Sequence, residues 1–452
     1  MSVKFIEVNR ASQYLFPPSI QDWLPEKHLA RFVVEIIEQL DLRPLKESYT
    51  CRGSQPYHPS MLLALLFYGY ATGVFSSRKL ERSTYDSVAF RFISANTHPD
   101  HDTIAQFRKR FLPQLSAMFV QILAIARQMG VLKLGKVSLD GTKIKANASK
   151  HKALSYDYAC KLQAQLEAEV AELLAQAETA DQADIPDGME IPLELAIRQD
   201  RLTAIKAAKA EIERRADQRY DKEQEEYCRK LAEREQKEQK TGRKPGGKQP
   251  KPPTAGPKAK DQVNLTDRDS RIMPTSSGGF EQAYNAQASV DVETMLIVGN
   301  HLTQAPNDKQ ELRPALAKLE QLPAELGAVS DILADTGYFS ATNVALCEAQ
   351  KATPYIAAKR EGHNQPVMAR FQEPPPPSLD ADAVEMMKHR LKTKAGKAVY
   401  AKRKSTVEPV FGIIKAAMGF RQFLLRGLGA VTGEWDLVCI AFNLKRLFVL
   451  AK

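Results

Sequence analysis

Apolar and polar residues alternate over 137–140, a period of two that is typical of a β-strand with one apolar face. Gly141 follows, and a residue without a side chain allows another backbone or a ligand to come close. Strand-forming residues continue over 142–144, so we expect Asp140 to lie inside a strand, where aspartate is disfavoured. Asp140 is therefore a candidate functional residue, and the alternative is an aspartate at an exposed strand edge.

Residues from about 26 to 125 show helical patterns with little strand signal. Pro59 opens a helix that is apolar on most sides and ends near Gly73, and Thr103 with Gln106 has the spacing of a capping box. Short helices with basic exposed faces are typical of a helix-turn-helix-like DNA-binding module, although a helical bundle with solvated basic faces fits the same pattern. The candidate DNA-contacting residues are Arg78, Lys79, Arg82, Arg108, Lys109 and Arg110.

The sequence pattern changes after the predicted strand that contains Asp140. Residues 156–180 and 195–216 place apolar residues at helical spacing, which predicts an antiparallel helical hairpin, serving either as a spacer or as a dimerisation device. Residues 237–260 are rich in Lys, Pro and Gly and predict a flexible basic loop. We expect the whole block, 151–264, to be an insertion.

Strand patterns resume at 284–292, where polar and apolar residues alternate as in a half-buried strand, and 295–298 is expected to pair with it. Next, a helix is predicted at about 309–320. A further strand at 353–358 precedes a Pro-rich stretch, and we expect an irregular insertion over 361–398.

Asp335 ends the apolar strand that starts at Val329, and Gly337 makes the turn after it. Ligands bind at the carboxyl ends of strands in α/β sheets, so an acid there is a site candidate. The alternative is an N-cap for the helix at 341–349, although Ser340 and Thr342 are better placed to cap it.

Glu408 and Lys415 are seven residues apart and share one face of a predicted helix. The alternative for Glu408 is a capping box with Ser405, because Pro409 suits a first helical turn. On this segment alone, capping is the better interpretation.

The chain has 452 residues, 43% of them hydrophobic, and a net charge of +10. This length predicts two or three domains, and the charge favours a polyanionic partner. Its five cysteines are far apart and show no CxxC pairing, which favours neither a disulfide framework nor a zinc site. No signal segment opens the chain, and its longest apolar run, 61–75, is shorter than a membrane span of roughly 20 residues. We expect a soluble intracellular protein.

Three carboxylates come from a strand, a strand end and a helix: Asp140, Asp335 and Glu408. In a mixed sheet these elements can be neighbours, which would bring the three acids together. Carboxylates without Cys or His suit Mg²⁺ or Mn²⁺ rather than zinc. Two such ions about 3.5–4 Å apart can support in-line displacement at a phosphodiester.

The chain carries Ser-Leu-Asp-Gly-Thr-Lys at 138–143, Asp-Thr-Gly-Tyr at 335–338 and Tyr-x-x-Arg at 400–403. It continues with Glu-Pro-Val-Phe-Gly-x-Ile-Lys at 408–415 and Gly-Phe-Arg-x-Phe-Leu-Leu-Arg-Gly at 419–427. In this order the motifs resemble bacterial insertion-sequence transposases of the DDE type, and the resemblance covers nearly the whole chain.

The resemblance implies an α/β RNase H-like catalytic core, a mixed sheet flanked by helices, with an all-α N-terminal DNA-binding module and a long helical insertion. It implies two Mg²⁺ ions, with Mn²⁺ as a substitute, held by Asp140, Asp335 and Glu408, and Lys415 as a catalytic residue that contacts phosphate or DNA. It also implies cleavage of double-stranded DNA at terminal inverted repeats and strand transfer into target DNA. We expect a homodimer on DNA in the bacterial cytoplasm, associated with the nucleoid and not with a membrane.

One departure concerns spacing. Many relatives place Arg four residues before the catalytic Glu, whereas here Arg403 stands five before Glu408 and Lys404 holds the four-back position. Tyr400 and Arg403 are therefore weaker assignments than the acids. The candidate DNA-contacting residues of this region are Tyr400, Arg403, Lys404, Arg421 and Arg426.

The predicted organisation is a DNA-binding module at 1–125, a catalytic domain at 130–150 and 265–450, and the two insertions at 151–264 and 361–398. Two other functions remain open. One is an RNase H-like nuclease without strand transfer, and the other is an inactive DNA-binding remnant, which the presence of all three acids and the lysine disfavours.

Overall fold

The computed structural model describes residues 19–49, 55–179, 190–243, 246–275, 278–358, 372–378 and 380–451. The chain forms two compact units: Met1–Ile144 with Tyr284–Lys452, and Lys145–Ala283.

Among the described residues, the N-terminal part of the first unit forms seven α-helices: α1 (Leu29–Glu38), α2 (Arg43–Lys46), α3 (Pro59–Thr72), α4 (Ser77–Asp86), α5 (Val88–Ile93), α6 (His101–Phe111) and α7 (Leu115–Gln128). Helix α3 is buried along almost its whole length, as its apolar sequence predicts. It starts at Pro59 and ends at Gly73, whose φ of +84° is a left-handed conformation that glycine adopts at little cost.

Eight strands are described: β1 (Lys136–Lys145), β2 (Ala153–Ser155), β3 (Gln262–Asn264), β4 (Arg271–Pro274), β5 (Phe280–Asp291), β6 (Ile297–Thr303), β7 (Asp331–Ala334) and β8 (Thr353–Ile356). In the first unit the strand order is β6-β5-β1-β7-β8. β6 is antiparallel to β5, whereas β7 is parallel to both β1 and β8. β1 and β5 are antiparallel, because Val292 N donates to Lys136 O at one end of the pair and Ala146 N donates to Gln282 O at the other.

The other α-helices described in this unit are α10 (Leu312–Glu320), α11 (Ala341–Ala349), α12 (Ala383–Lys392), α13 (Lys394–Ala401), α14 (Val407–Gly412) and α15 (Leu428–Leu450). The buried helix α15 packs against β6, and its Asn443 side chain hydrogen-bonds both the N–H and the C=O of Ile297. The predicted helical N-terminal region and mixed sheet flanked by helices are confirmed.

The N-terminal helices do not stand apart from the sheet, although we expected a separate module at 1–125. Helices α3 and α7 pack against α15 within the same unit. The buried Glu434 of α15 accepts hydrogen bonds from Tyr70 of α3 and from the backbone of Leu424 and Leu425. The apolar surface of α3 thus needs the C-terminal part of the chain to cover it.

The expected irregular insertion at 361–398 is wrong for residues 383–398, which lie in α12 and α13. Side-chain caps start both helices, from Asp382 to Glu385 N and from Thr393 to Gly396 N, and α12 packs against β8. The Pro-rich composition of the preceding residues suggested irregular structure, so the sequence pattern did not predict these capped helices. Residues 359–371 and 379 lie outside the described part.

The second unit contains the expected helical hairpin, α8 (Tyr156–Thr179) and α9 (Ile191–Thr241). Ion pairs from Arg198 to Glu169 and from Lys206 to Glu167 show that the helices are antiparallel. The hairpin packs around a shared apolar cluster: Leu162, Leu166, Ile205, Ala208 and Ile212.

Helix α9 continues to Thr241, so residues 237–241 are helical and not part of a loop as we expected; Gly242, at φ +64°, ends the helix. In the same unit β2 pairs with β3, and β4 pairs with the first residues of β5.

Within the described ranges, no single helix is long and apolar enough to cross a membrane; the sharply bent pair α3–α4 meets the length and composition criteria together.

Candidate functional site

Asp140 lies within β1, as the sequence predicts, and its side chain is only 18% exposed. Its Oδ1 accepts a hydrogen bond from Gly141 N at 2.8 Å. Burial raises the pKa of Asp140 to about 6; nearby Arg403 opposes this rise, and Asp335 and Asp308 add to it.

Asp335 directly follows β7, the parallel neighbour of β1, so the sheet brings it beside Asp140. Its Oδ1 accepts from Gly337 N at 2.8 Å and caps the short turn Thr336–Tyr338. Helix α11 is capped instead by Ser340, whose Oγ accepts from Asn343 N. Asp335 is therefore not the cap of α11.

Glu408 lies in the first turn of α14, where the capping-box interpretation is wrong. The N-cap is Thr406, so Glu408 is the second helical residue and not the third, which a capping box requires. The hydroxyl of Ser405 donates to Lys402 O instead. The Glu408 carboxylate is thus free of capping and accepts a hydrogen bond from Arg403 Nη1 at 3.0 Å.

The Arg403 guanidinium lies among the three acids, and its side chain is 9% exposed. Nη2 is 2.9 Å from Asp140 Oδ2 and 3.8 Å from Asp335 Oδ2, while Nη1 bonds Glu408. The structure therefore brings together three acids that are far apart in sequence, and they surround one buried cation.

Arg403, and not Lys404, faces the acids, although Lys404 has the spacing of the relatives. α13 ends at Ala401 and α14 begins at Val407, so the residues between them do not follow helical phase. The number of residues before Glu408 therefore does not predict which side chain points towards the acids. Lys404 is exposed.

The donor set fits a hard divalent cation. Among the described residues, no three His, Cys, Asp or Glu side chains lie at the spacing of a formed metal site. The three acids nevertheless offer only carboxylate oxygens and converge on a cationic group, and such oxygens are the ligands that Mg²⁺ and Mn²⁺ prefer. One guanidinium offsets only part of their negative charge.

Lys415 reaches the same strand from the π-helical turn Ile413–Ala417. Its Nζ donates to Thr142 Oγ1 and, at 3.0 Å, to Lys143 O. Burial, with a smaller contribution from the charge of Lys143, lowers the pKa of Lys415. A second cation therefore lies along β1 just beyond Asp140.

Five of the six N-terminal DNA-contact candidates are exposed: Arg78, Lys79, Arg82, Lys109 and Arg110. Arg108 is buried, which corrects its assignment as a DNA contact, and its Nη1 donates to Tyr70 Oη at 3.1 Å and Phe75 O at 3.0 Å. The sequence carried the signal, because Arg108 lies on the same helix face as Ile104 and Phe111.

Of the C-terminal candidates, Lys404, Arg421 and Arg426 are exposed. Tyr400 is half-buried and packs against the apolar cluster of Val292, Leu333 and Tyr355. Arg403 faces the acids rather than the surface.

Sequence reasoning missed Asp308 and two amides of β5, Asn285 and Gln287. The alternation of β5 suggested that its polar face is solvated, but both amides are buried. Asp308 Oδ1 accepts from Asn285 Nδ2 at 2.7 Å and from Gln287 Nε2 at 2.6 Å. The sequence offered one signal for this cluster: two amide residues, two positions apart, on the strand that pairs with the strand of Asp140.

Two family models match the chain: a transposase domain (DUF772) over residues 18–110 and a transposase DDE domain over residues 377–448. The chain carries a transposase domain at each end. The resemblance to insertion-sequence transposases of the DDE type is thereby confirmed. Transposase families act on DNA, which supports DNA as the partner of this chain, and DDE transposases generally use divalent metal ions.

The DDE match includes Arg403, Glu408 and Lys415, and the N-terminal match includes α4 and all of α6 except Phe111. Comparison with curated proteins and with solved structures gives no match.

Proposed function

We propose that this transposase cuts DNA at the terminal inverted repeats of an insertion sequence and joins the freed ends to target DNA by two-metal phosphodiester chemistry. The observation that carries the proposal is the convergence of Asp140, Asp335 and Glu408 on the buried Arg403 guanidinium.

The sheet supports an RNase H-like core. On one side of the central strand β1 lies β5, which is antiparallel to it, followed by β6, which is antiparallel to β5; on the other side lie the parallel strands β7 and β8. Asp140 lies on the central strand and Asp335 at the carboxyl end of its parallel neighbour, where α/β sheets place ligands. The helical hairpin α8–α9 would be an insertion after β1.

In this proposal Asp140, Asp335 and Glu408 hold two Mg²⁺ ions, with Mn²⁺ as a substitute. Bound there, the ions would activate a water or 3′-hydroxyl and stabilise the leaving oxygen. In the absence of ions, Arg403 offsets the repulsion among the acids. Lys415, half-buried beside β1, is suited to contact a DNA phosphate near Asp140.

The exposed basic residues of α4 and α6 are proposed to bind the inverted repeat. They would contact phosphates, while the acids act on the scissile bond. Tyr400, Lys404, Arg421 and Arg426 are proposed DNA contacts of the core, and a homodimer would hold two element ends together.

The test compares the full-length protein with Asp140→Asn on DNA that carries an element end, and in parallel offers both proteins a pre-cut end for joining. Wild type should cut and join in the presence of Mg²⁺, and Asp140→Asn should do neither while still binding the end. The matched control is Glu293→Gln, which removes a carboxylate paired with exposed Lys402 and should leave both activities unchanged.

If the wild type cuts DNA but does not join the ends, the proposal is wrong and the protein is a nuclease without strand transfer. End binding without either activity in wild type would indicate an inactive remnant.

A further inference from the structure

Asp308 lies in the connection between β6 and α10, and its side chain is 18% exposed. Its Oδ1 accepts from the amides of Asn285 and Gln287, and Lys143 Nζ lies 3.8 Å from the same oxygen. One carboxylate oxygen is thus fixed by two neutral donors and one cation.

Two glycines lie next to this carboxylate, and Gly141 leaves room for it beside the acids. A Cβ atom on Gly141 would lie 2.6 Å from Asp308 Oδ1 and 2.0 Å from Gln287 Nε2. A Cβ atom on Gly337 would lie 3.7 Å from Asp308 Oδ2 and 2.9 Å from Asp335 Oδ1. Asp308 therefore lies between the residue after Asp140 and the turn that holds Asp335.

The same network fixes the connection that carries Asp308. Asn343 Nδ2 donates to Lys309 O at 2.9 Å and to Tyr338 O at 2.6 Å. The buried Tyr338 hydroxyl donates to Gln287 Oε1. These bonds tie the loop, the turn after Asp335 and β5 to one another.

We propose that Asp308 is a positioning residue of the cation site: through Asn285 and Gln287 it sets the spacing between the β1 backbone at Asp140 and the turn at Asp335. This inference rests on the proposed function. We assign Asp308 a role through other residues because its Oδ1 is already engaged by two buried amide donors and by Lys143, and breaking those bonds would leave the amides unsatisfied. The Asp308→Asn variant below separates this role from ligation.

The test measures Mn²⁺ affinity of the full-length protein by titration calorimetry, with melting curves to check folding. Asp308→Asn keeps an oxygen that can accept both amide hydrogen bonds, so its affinity should stay within about threefold of wild type. Asp308→Ala removes that acceptor and should lower the affinity about 10- to 100-fold, as the loss of groups that orient ligands does. Asp140→Asn is the control for a lost ligand.

If Asp308→Ala does not fold, Asp308→Glu replaces it. Glu keeps the charge but moves the oxygens by one methylene, so positioning predicts about a tenfold loss of affinity. Wild-type affinity in the variant tested, Asp308→Ala or Asp308→Glu, would overturn the inference, and so would an Asp308→Asn as weak as Asp140→Asn. A wild type that binds no Mn²⁺ would instead contradict the proposed function itself.

Discussion

Arg403 is the residue on which the electrostatics of the site depend. It is the cation that contacts all three acids, and its own Nε has no hydrogen-bond partner among the described residues. Removing one member of a buried ion pair leaves an uncompensated charge, and here that charge is carried by Asp140, the least exposed acid.

Arg403→Gln should therefore destabilise the protein in EDTA by about 3 kcal/mol, at the low end for a broken buried pair because Asp335 and Glu408 are partly exposed. Saturating Mn²⁺ should reduce the loss, because the ions neutralise the same carboxylates. Urea denaturation with and without Mn²⁺ measures both. Arg82→Gln, which breaks an exposed pair with Asp86, is the control and should cost less than about 1 kcal/mol.

An equal loss of stability in EDTA and in Mn²⁺ would show that Arg403 and the ions do not share a position.

Asp436 of α15 provides a pH test away from the site. Burial raises its pKa to about 6, against smaller opposing effects of a hydrogen bond with Asn300 and the charge of Lys318. The folded protein therefore binds more protons than the unfolded chain between about pH 4 and 6, so this contribution to stability is present at low pH and is lost as pH rises through 6.

Asp436→Asn should thus gain stability over wild type with rising pH, by up to about 3 kcal/mol at pH 8 and by little near pH 4. Melting curves of both proteins across this range check the sign. A constant difference between them would contradict a raised pKa.

At the scale of elements, local sequence patterns predicted the structural features that depend on a single segment of the chain. The strand at Asp140, the strand end at Asp335 and the helical hairpin all follow from apolar periodicity. The orientation of the Arg403 side chain did not follow from periodicity, because the turn between α13 and α14 has no regular repeat. Asp308 was missed because an isolated acid in a loop carries no pattern; only the buried amides of a neighbouring strand give it a place.

The start of α14 gives a direct test of cap against ligand. Thr406 is the N-cap, so Glu408→Gln removes a charge and no cap, and the free energy of unfolding should change by less than about 1 kcal/mol. An amide is a poor ligand for a hard cation, so the proposal predicts that cleavage falls to background while end binding persists. A denaturation curve, a binding titration and a cleavage assay on this variant decide it, and retained cleavage would remove Glu408 from the ligand set.

At the scale of the molecule, the N-terminal helices and the sheet share one compact unit. A fragment that ends near residue 125 would expose the apolar sides of α3 that α15 covers, so DNA binding is best tested in the full chain. The sequence suggested a separate module because its helices are local, whereas the bond from Tyr70 to Glu434 joins residues 364 positions apart.

Replacing exposed Arg78 and Lys79 by Gln should weaken end binding and reduce the slope of log affinity against log salt by about 2, since each lost phosphate contact contributes about 0.9. Mn²⁺ affinity should not change, because neither side chain lies at the acids. Binding titrations at several salt concentrations test this, with exposed Lys46→Gln on α2 as the control. An unchanged slope would exclude Arg78 and Lys79 from the DNA interface.

The most direct test that Asp140, Asp335 and Glu408 form one cation-dependent DNA-cleavage site is to measure DNA cleavage by the Asp335→Asn variant. Asp335 is partly exposed at a strand end, so the substitution should leave the fold intact. The account predicts Mg²⁺-dependent cutting of an element end by wild type and none by the variant, with equal end binding. Cutting by Asp335→Asn at the wild-type rate would contradict it.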